Sequence, residues 1–170
     1  MDLMSFDPRW PLIGCFAAAM ARAAVSDLLT LQIPNWTCAL VAVLFLPTAL
    51  LSGIGLYGIA LHYGTGLLLF VIGALLFAYG VLGGGDVKLL AAISIWIGWG
   101  NLLPYLLVVS IFGGLLALIS ILLRRIKRLP AFLSSLPWLT PGADRKQPIP
   151  YGVAIVAAAL AGLRSLAVLP

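Results

Sequence analysis

The 170-residue chain is 63% hydrophobic and only 9% charged, with a mean hydropathy of +1.16. Soluble domains carry about a quarter charged residues and about half apolar ones, so a soluble globular domain is excluded and a membrane protein is indicated. Ten Lys and Arg oppose five Asp, with no Glu, for a net charge of +5. These basic residues do not form the aromatic-interleaved surface that a nucleic-acid binder needs, and they read instead as anchors at a lipid surface. The two cysteines, Cys15 and Cys38, stand in apolar stretches with no His or Cys at a metal spacing. Neither a disulfide framework, a metal site nor a cofactor is expected.

In chain order, the first predicted helix covers about residues 8–26. Asp2 and Asp7 stand where a signal peptide would be basic, and no polar mature domain follows Arg22, so this is read as a retained first helix. From Leu28 to Gly85, 58 residues carry no Lys, Arg, Asp or Glu and are interrupted only by His62. One helix of that length would reach about 87 Å against a hydrocarbon core of about 30 Å, so the run must turn back. Ile33-Pro34-Asn35 opens it, and Ser52-Gly53-Ile54-Gly55 with Gly58, Gly64 and Gly66 marks a loop holding His62. That leaves helices at 36–51 and 64–82. The next charge-free run, Leu89 to Leu123, is again too long for one span. Gly98-Trp99-Gly100-Asn101 with Pro104 supplies its reversal, between helices at 87–97 and 104–123. A basic loop, 124–147, whose 129–139 portion is expected at the interface, precedes a last helix at 151–168. Trp36, Trp96, Trp99 and Trp138 are expected in the interfacial aromatic belt. The fold class is thus an all-α polytopic membrane protein, a single embedded domain of about six helices.

With the N-terminus outside, Arg22, Lys88, Arg124, Arg125, Lys127, Arg128, Arg145 and Lys146 fall on the cytoplasmic side, leaving only Arg9 and Arg164 outside. This orientation places Asp27, after the first helix, and Asp86, before the fourth, on one face. A carboxylate at the edge of a membrane helix is a functional-site hypothesis by default. Gly83-Gly84-Gly85 strips side chains from the turn ahead of Asp86 and lets another backbone approach, while Asp86 can cap free N–H groups. Two carboxylates in unequal surroundings can share one proton, one serving as base on water and the other as acid on a carbonyl. A small proton- or cation-coupled transporter component is the alternative, but such proteins place ionisable groups at the midplane of repeated halves, and no repeat is seen here. His62 is expected to be chemically silent and Lys88 to anchor. Asn35 and Gln147 are polar groups near the inner face whose simpler role is capping.

Gly83-x-Gly85-Asp86 followed by Val87-Lys88-Leu89-Leu90, Asp27 followed by Ile33-Pro34-Asn35-Trp36, and Pro150-Tyr151-Gly152-Val153 together resemble the type IV prepilin peptidases, the GxGD aspartic proteases of the bacterial inner membrane. The short chain further resembles the stand-alone peptidases of tight-adherence (Flp) pilus systems. The resemblance implies that Asp27 and Asp86 are the catalytic pair, supported by Gly83, Gly85, Pro34 and Asn35, and that they cut prepilin or pseudopilin leader peptides at the cytoplasmic face with no cofactor. It implies lipid as the other partner and no role for nucleic acid. Relatives usually carry basic residues where this chain has Leu28-Leu29-Thr30-Leu31-Gln32, which weakens any electrostatic grip there. The two CxxC pairs of the larger, methylating members are absent, so cleavage without methylation is implied.

Overall fold

The computed structural model describes residues 7–126, 136–139 and 149–162. Among these residues the chain is helical with no strand: α1 Arg9–Thr30, α2 Asn35–Leu51, α3 Leu56–Ala78, α4 Gly84–Arg124, a 3-10 turn Pro137–Leu139, and α5 Tyr151–Ala161. Three of them, α1, α3 and α4, are long and apolar enough to cross a membrane, and α2 and α5 are shorter apolar helices. The protein is an all-α membrane protein. Lys127, Arg128, Asp144, Arg145, Lys146, Gln147 and Arg164, with the end of the expected last helix, lie outside the described residues.

Several boundaries differ from the sequence expectation, each for a local reason. No Gly or Pro stands between Gly14 and Pro34, so the helix continues through Asp27 to Thr30 and the carboxylate sits inside it rather than after it. Its end is Leu31, at φ 55, whose N–H donates to the Asp27 carbonyl at 2.9 Å. The loop expected to hold Gly58, Gly64 and Gly66 shrinks to 52–55, and all three glycines lie within α3. Gly66, with Gly73 further along, is where α3 packs on α4: a Cβ at Gly73 would come within 2.7 Å of Val87 Cγ1, and one at Gly66 would collide with Ile95. Helices in lipid associate through such small residues because apolar burial does not favour protein over hydrocarbon.

His62 consequently belongs to α3 and not to a loop. Its ring stacks on Phe45, with centroids 4.8 Å apart, and Nδ1 donates to the Ile95 carbonyl at 2.6 Å. The stretch expected to reverse at 98–104 does so at one residue, Gly98 (φ 71, ψ 171), and Pro104 is carried within the helix beyond it. The 41 residues of α4 would extend about 61 Å if straight. Instead both ends return to the end of α1. Asp86 lies against Gly152, which donates to Asp27, while Arg124 Nε donates to the Trp138 carbonyl and Trp138 Nε1 to the Leu28 carbonyl. α4 is therefore a hairpin of two arms, 84–97 and 99–124.

The first arm is the centre of the bundle, with every residue from Ala91 to Gly98 buried. Trp96 is fully enclosed, so it does not belong to an interfacial belt. It stacks on Phe16 of α1 at 4.0 Å, meets Phe45 of α2 edge-on at 5.8 Å, and donates Nε1–H to the Val41 carbonyl at 2.7 Å. One aromatic side chain thereby ties three helices, its polar edge satisfied as burial demands. Trp138 is likewise buried, whereas Trp36 and Trp99 are exposed as expected.

Gly98 combines a positive φ with a contact that a side chain would fill, since a Cβ there would lie 2.6 Å from His62 Cε1. Gly98→Ala is expected to cost about 1–3 kcal/mol, the range for strained left-handed backbone. A thermal melt of the purified protein in detergent should show the drop, while Gly100→Ala, with nothing within 4 Å of the added carbon, should melt as wild type.

Candidate active site

Asp27 occupies the last full turn of α1 and is 4% exposed. Beyond it the chain must bend sharply to deliver Ile33 to the core. Two hydroxyls brace that bend: Ser26 Oγ donates to the Gln32 carbonyl at 2.8 Å, and Thr30 Oγ1 to the Ser26 carbonyl at 2.7 Å. Leu31 takes the left-handed conformation, a sparsely populated state for a bulky residue that costs about 1–2 kcal/mol. Pro34, extended at the N-cap of α2, then sets the direction of that helix. Ile33 is buried against both glycine segments of the site, since added Cβ atoms would meet it at 3.2 Å from Gly85 and 2.8 Å from Gly152.

Asp86 is the third residue of α4, deeper than the mouth position expected for it, and half-buried. Its carboxylate folds back within hydrogen-bond reach of the Gly83 N–H. That is the acidic half of a capping box, in which a side chain at the third helical position satisfies the N-cap donor. The glycines have separable duties: a Cβ at Gly83 would stand 2.7 Å from Asp86 Oδ2, whereas Gly85 makes room for Ile33.

The third wall is the N-terminus of α5, which begins after Pro150. The Gly152 N–H donates to Asp27 Oδ2 at 2.7 Å, the Val153 N–H also reaches Asp27, and Gly152 reaches Asp86 as well. Free N–H groups in a first helical turn are a ready seat for anionic oxygen. Gly152 is needed for the approach itself, because a Cβ there would lie 2.8 Å from Asp27 Oδ2. A cavity of about 310 Å³ opens between the carboxylates, bounded also by Leu31, Gln32, Ile33, Asn35 and Gly83–Gly85. The Trp138 indole on the Leu28 carbonyl, with Arg124 holding the Trp138 carbonyl, secures the end of α1 from the far side.

Of the residues expected at the site, Asp27, Asp86, Gly83, Gly85 and Asn35 converge on the cavity, and Pro34 stands beside it as the helix start. His62 lies at the opposite end of the first arm. Lys88 is not a plain anchor: its Nζ donates to Asn35 Oδ1 at 2.8 Å. Gly152 was not singled out as a site residue, although a proline before Tyr151-Gly152 marks a helix start, where unpaired N–H groups are to be expected. Among the described residues no three His, Cys, Asp or Glu side chains gather as a metal-ligand set.

A family model described as the type IV leader peptidase family matches residues 14–118 of the 170, a stretch that includes both aspartates and stops before Gly152. No curated protein and no solved structure matches the chain.

Gly152→Ala is expected to push Asp27 off its N–H seat in a buried setting, where losing hydrogen bonds to a charged group costs about 1.5–3 kcal/mol. Gly83→Ala displaces only the half-exposed Asp86 carboxylate toward the cavity. Detergent melts of the two variants should therefore separate, Gly152→Ala well below wild type and Gly83→Ala close to it.

Proposed function

The chain belongs to the type IV leader peptidase family, and from that premise we propose that it is a membrane aspartic endopeptidase whose Asp27 and Asp86 cut the leader from prepilins of the Flp, tight-adherence type. The observation that carries this reading is the convergence of carboxylates from α1 and α4 on one Gly152 N–H beside a cavity large enough for water and a peptide bond. The two surroundings are unequal. Asp27 is enclosed and takes N–H groups from α5, while Asp86 is half-exposed and capped by its own turn.

In the proposed reaction one carboxylate, ionised, takes a proton from a water in the cavity as the water oxygen attacks the scissile carbonyl carbon. The other, protonated, gives its proton to the carbonyl oxygen. Collapse of the tetrahedral intermediate breaks the C–N bond, and the proton held by the base passes to the departing amine. The aspartates would sit at the cytoplasmic face of a bacterial inner membrane, an orientation supported by Arg22, Lys88, Arg124 and Arg125 lying toward the dyad end and Arg9 toward the other. A soluble leader remains on that side, so its bond can reach the pair. Without the CxxC pairs of the larger relatives, this chain would release the product unmethylated.

Asp27→Asn and Asp86→Asn should each cut processing by about 10²–10⁴-fold, the usual weight of a positioned acid or base. The readout is an immunoblot of a co-expressed Flp-type prepilin, with the peptidase itself blotted in the membrane fraction to show equal insertion. Substantial processing by either variant would remove that aspartate from the chemistry.

A further inference from the structure

Asn35 is the wall between two spaces. On one side is the carboxylate cavity; on the other, a groove of about 410 Å³ runs between α2, α3 and the first arm of α4, lined by Lys88 at one end and by Cys38, Ala42, Gly66 and Phe70 along its length. Among the described residues no other borders both. The Asn35 amide has an acceptor end and a donor end, and these must face different ways. Lys88 decides which. Its ammonium, which can only donate, holds Asn35 Oδ1 at 2.8 Å, and among the described residues its surroundings include no carboxylate within ion-pair distance. With Oδ1 turned to Lys88, the amide nitrogen is the end left for the cavity.

That cavity has an imbalance that a peptidase would need to correct. Its two ionisable side chains are carboxylates, which in the proposed reaction share one proton, and the N–H groups of Gly152, Val153 and Gly83 are already taken by those same carboxylates. A substrate carbonyl that is to be attacked needs a donor aimed at its oxygen before and during the approach of water. Gln32, the other amide on the wall, is carried on the bend after α1, whereas Asn35 is fixed at the first residue of α2 and clamped by Lys88.

Building on the peptidase reading, we propose that Asn35 is a further catalytic residue, its Nδ2–H donating to the scissile carbonyl oxygen, and that Lys88 is the positioning residue that holds the amide in that orientation. Both side chains are exposed at the edge of the bundle, so their replacement leaves the core untouched. The decisive variant is Asn35→Asp, which keeps the volume and an oxygen for Lys88 but has no N–H to offer. If the pair served only to join α2 to α4, this variant would be as active as wild type.

The test is steady-state cleavage of a purified Flp-type prepilin by the full chain in detergent, with wild type and Asp27→Asn as references and a thermal melt of every variant. Asn35→Ala and Asn35→Asp should each lower kcat by about 100-fold, the scale for losing one such donor, with KM changed less than about threefold and melting unchanged. Lys88→Met should lower kcat by about tenfold, and because Lys88 acts through Asn35, the Lys88→Met/Asn35→Ala double variant should be no slower than Asn35→Ala alone. Wild-type kcat in Asn35→Asp, or losses that multiply in the double variant, would overturn the proposal while leaving the peptidase reading in place. A wild-type protein that leaves the prepilin intact would sink that reading and this proposal with it.

Discussion

The contact on which the rest of this structure depends is the hydrogen bond from the Gly152 N–H to Asp27 Oδ2, at 2.7 Å across 125 residues of chain. A carboxylate enclosed in an apolar bundle needs donors, because an ionised group in a medium of low polarity without partners is prohibitively costly. The start of α5 supplies them from its unpaired first turn, and it can do so only by touching Asp27 with bare backbone. That demand propagates outward. α5 must dock close to α1, Ile33 must fill the remaining space beside Gly152 and Gly85, and the bend at Leu31 must accept a strained conformation to bring Ile33 there.

The bundle that holds this contact is built around a short central arm. Arm 84–97 of α4 is buried over its second half and surrounded by α1, α2 and α3, with Trp96 engaging two of them and the glycine face of α3 closing on Val87 and Ile95. Close packing and a few polar contacts between helices, not segregation from solvent, hold such an assembly together. The polar contacts sit at the two ends of the arm: Lys88 to Asn35 at the site, and Trp96 to Val41 with His62 to Ile95 at the fold. Each joins α4 to a different turn of its neighbours. Together they set the register that places Asp86 opposite Asp27.

Much of this was legible in the amino-acid sequence, and the parts that were not share a cause. The spans could be counted because charge and glycine are rare in an apolar chain, and the acids stood out because only five exist. Helix ends were harder. In a segment apolar on every face no periodicity distinguishes buried from lipid-facing positions, so Gly58, Gly64 and Gly66 looked like a loop when they belong to a helix, Gly66 at its contact with α4, and His62 was carried into that loop with them. The same uniformity hid Trp96, whose burial depends on Phe16 and Phe45 from two other helices. Gly152 was invisible as a site residue because its role exists only once α5 meets α1. Asp27 and Asp86, by contrast, carry their own signal as isolated carboxylates beside apolar runs.

The level at which the two aspartates sit has a consequence of its own. Asp27 comes three residues before the end of α1, and Val87, next to Asp86, packs on Gly73, five residues before the end of α3. At 1.5 Å per residue Asp27 is about 5 Å inside the end of α1 and Asp86 about 3 Å inside the start of α4, below the end of α3. In the proposed reaction a scissile bond would have to pass those helix ends to meet both carboxylates. On that proposal, recess alone would work as a gauge. It would admit a scissile bond flanked by enough unstructured chain to cover that depth, so selectivity would begin with reach before any side chain of the substrate is read.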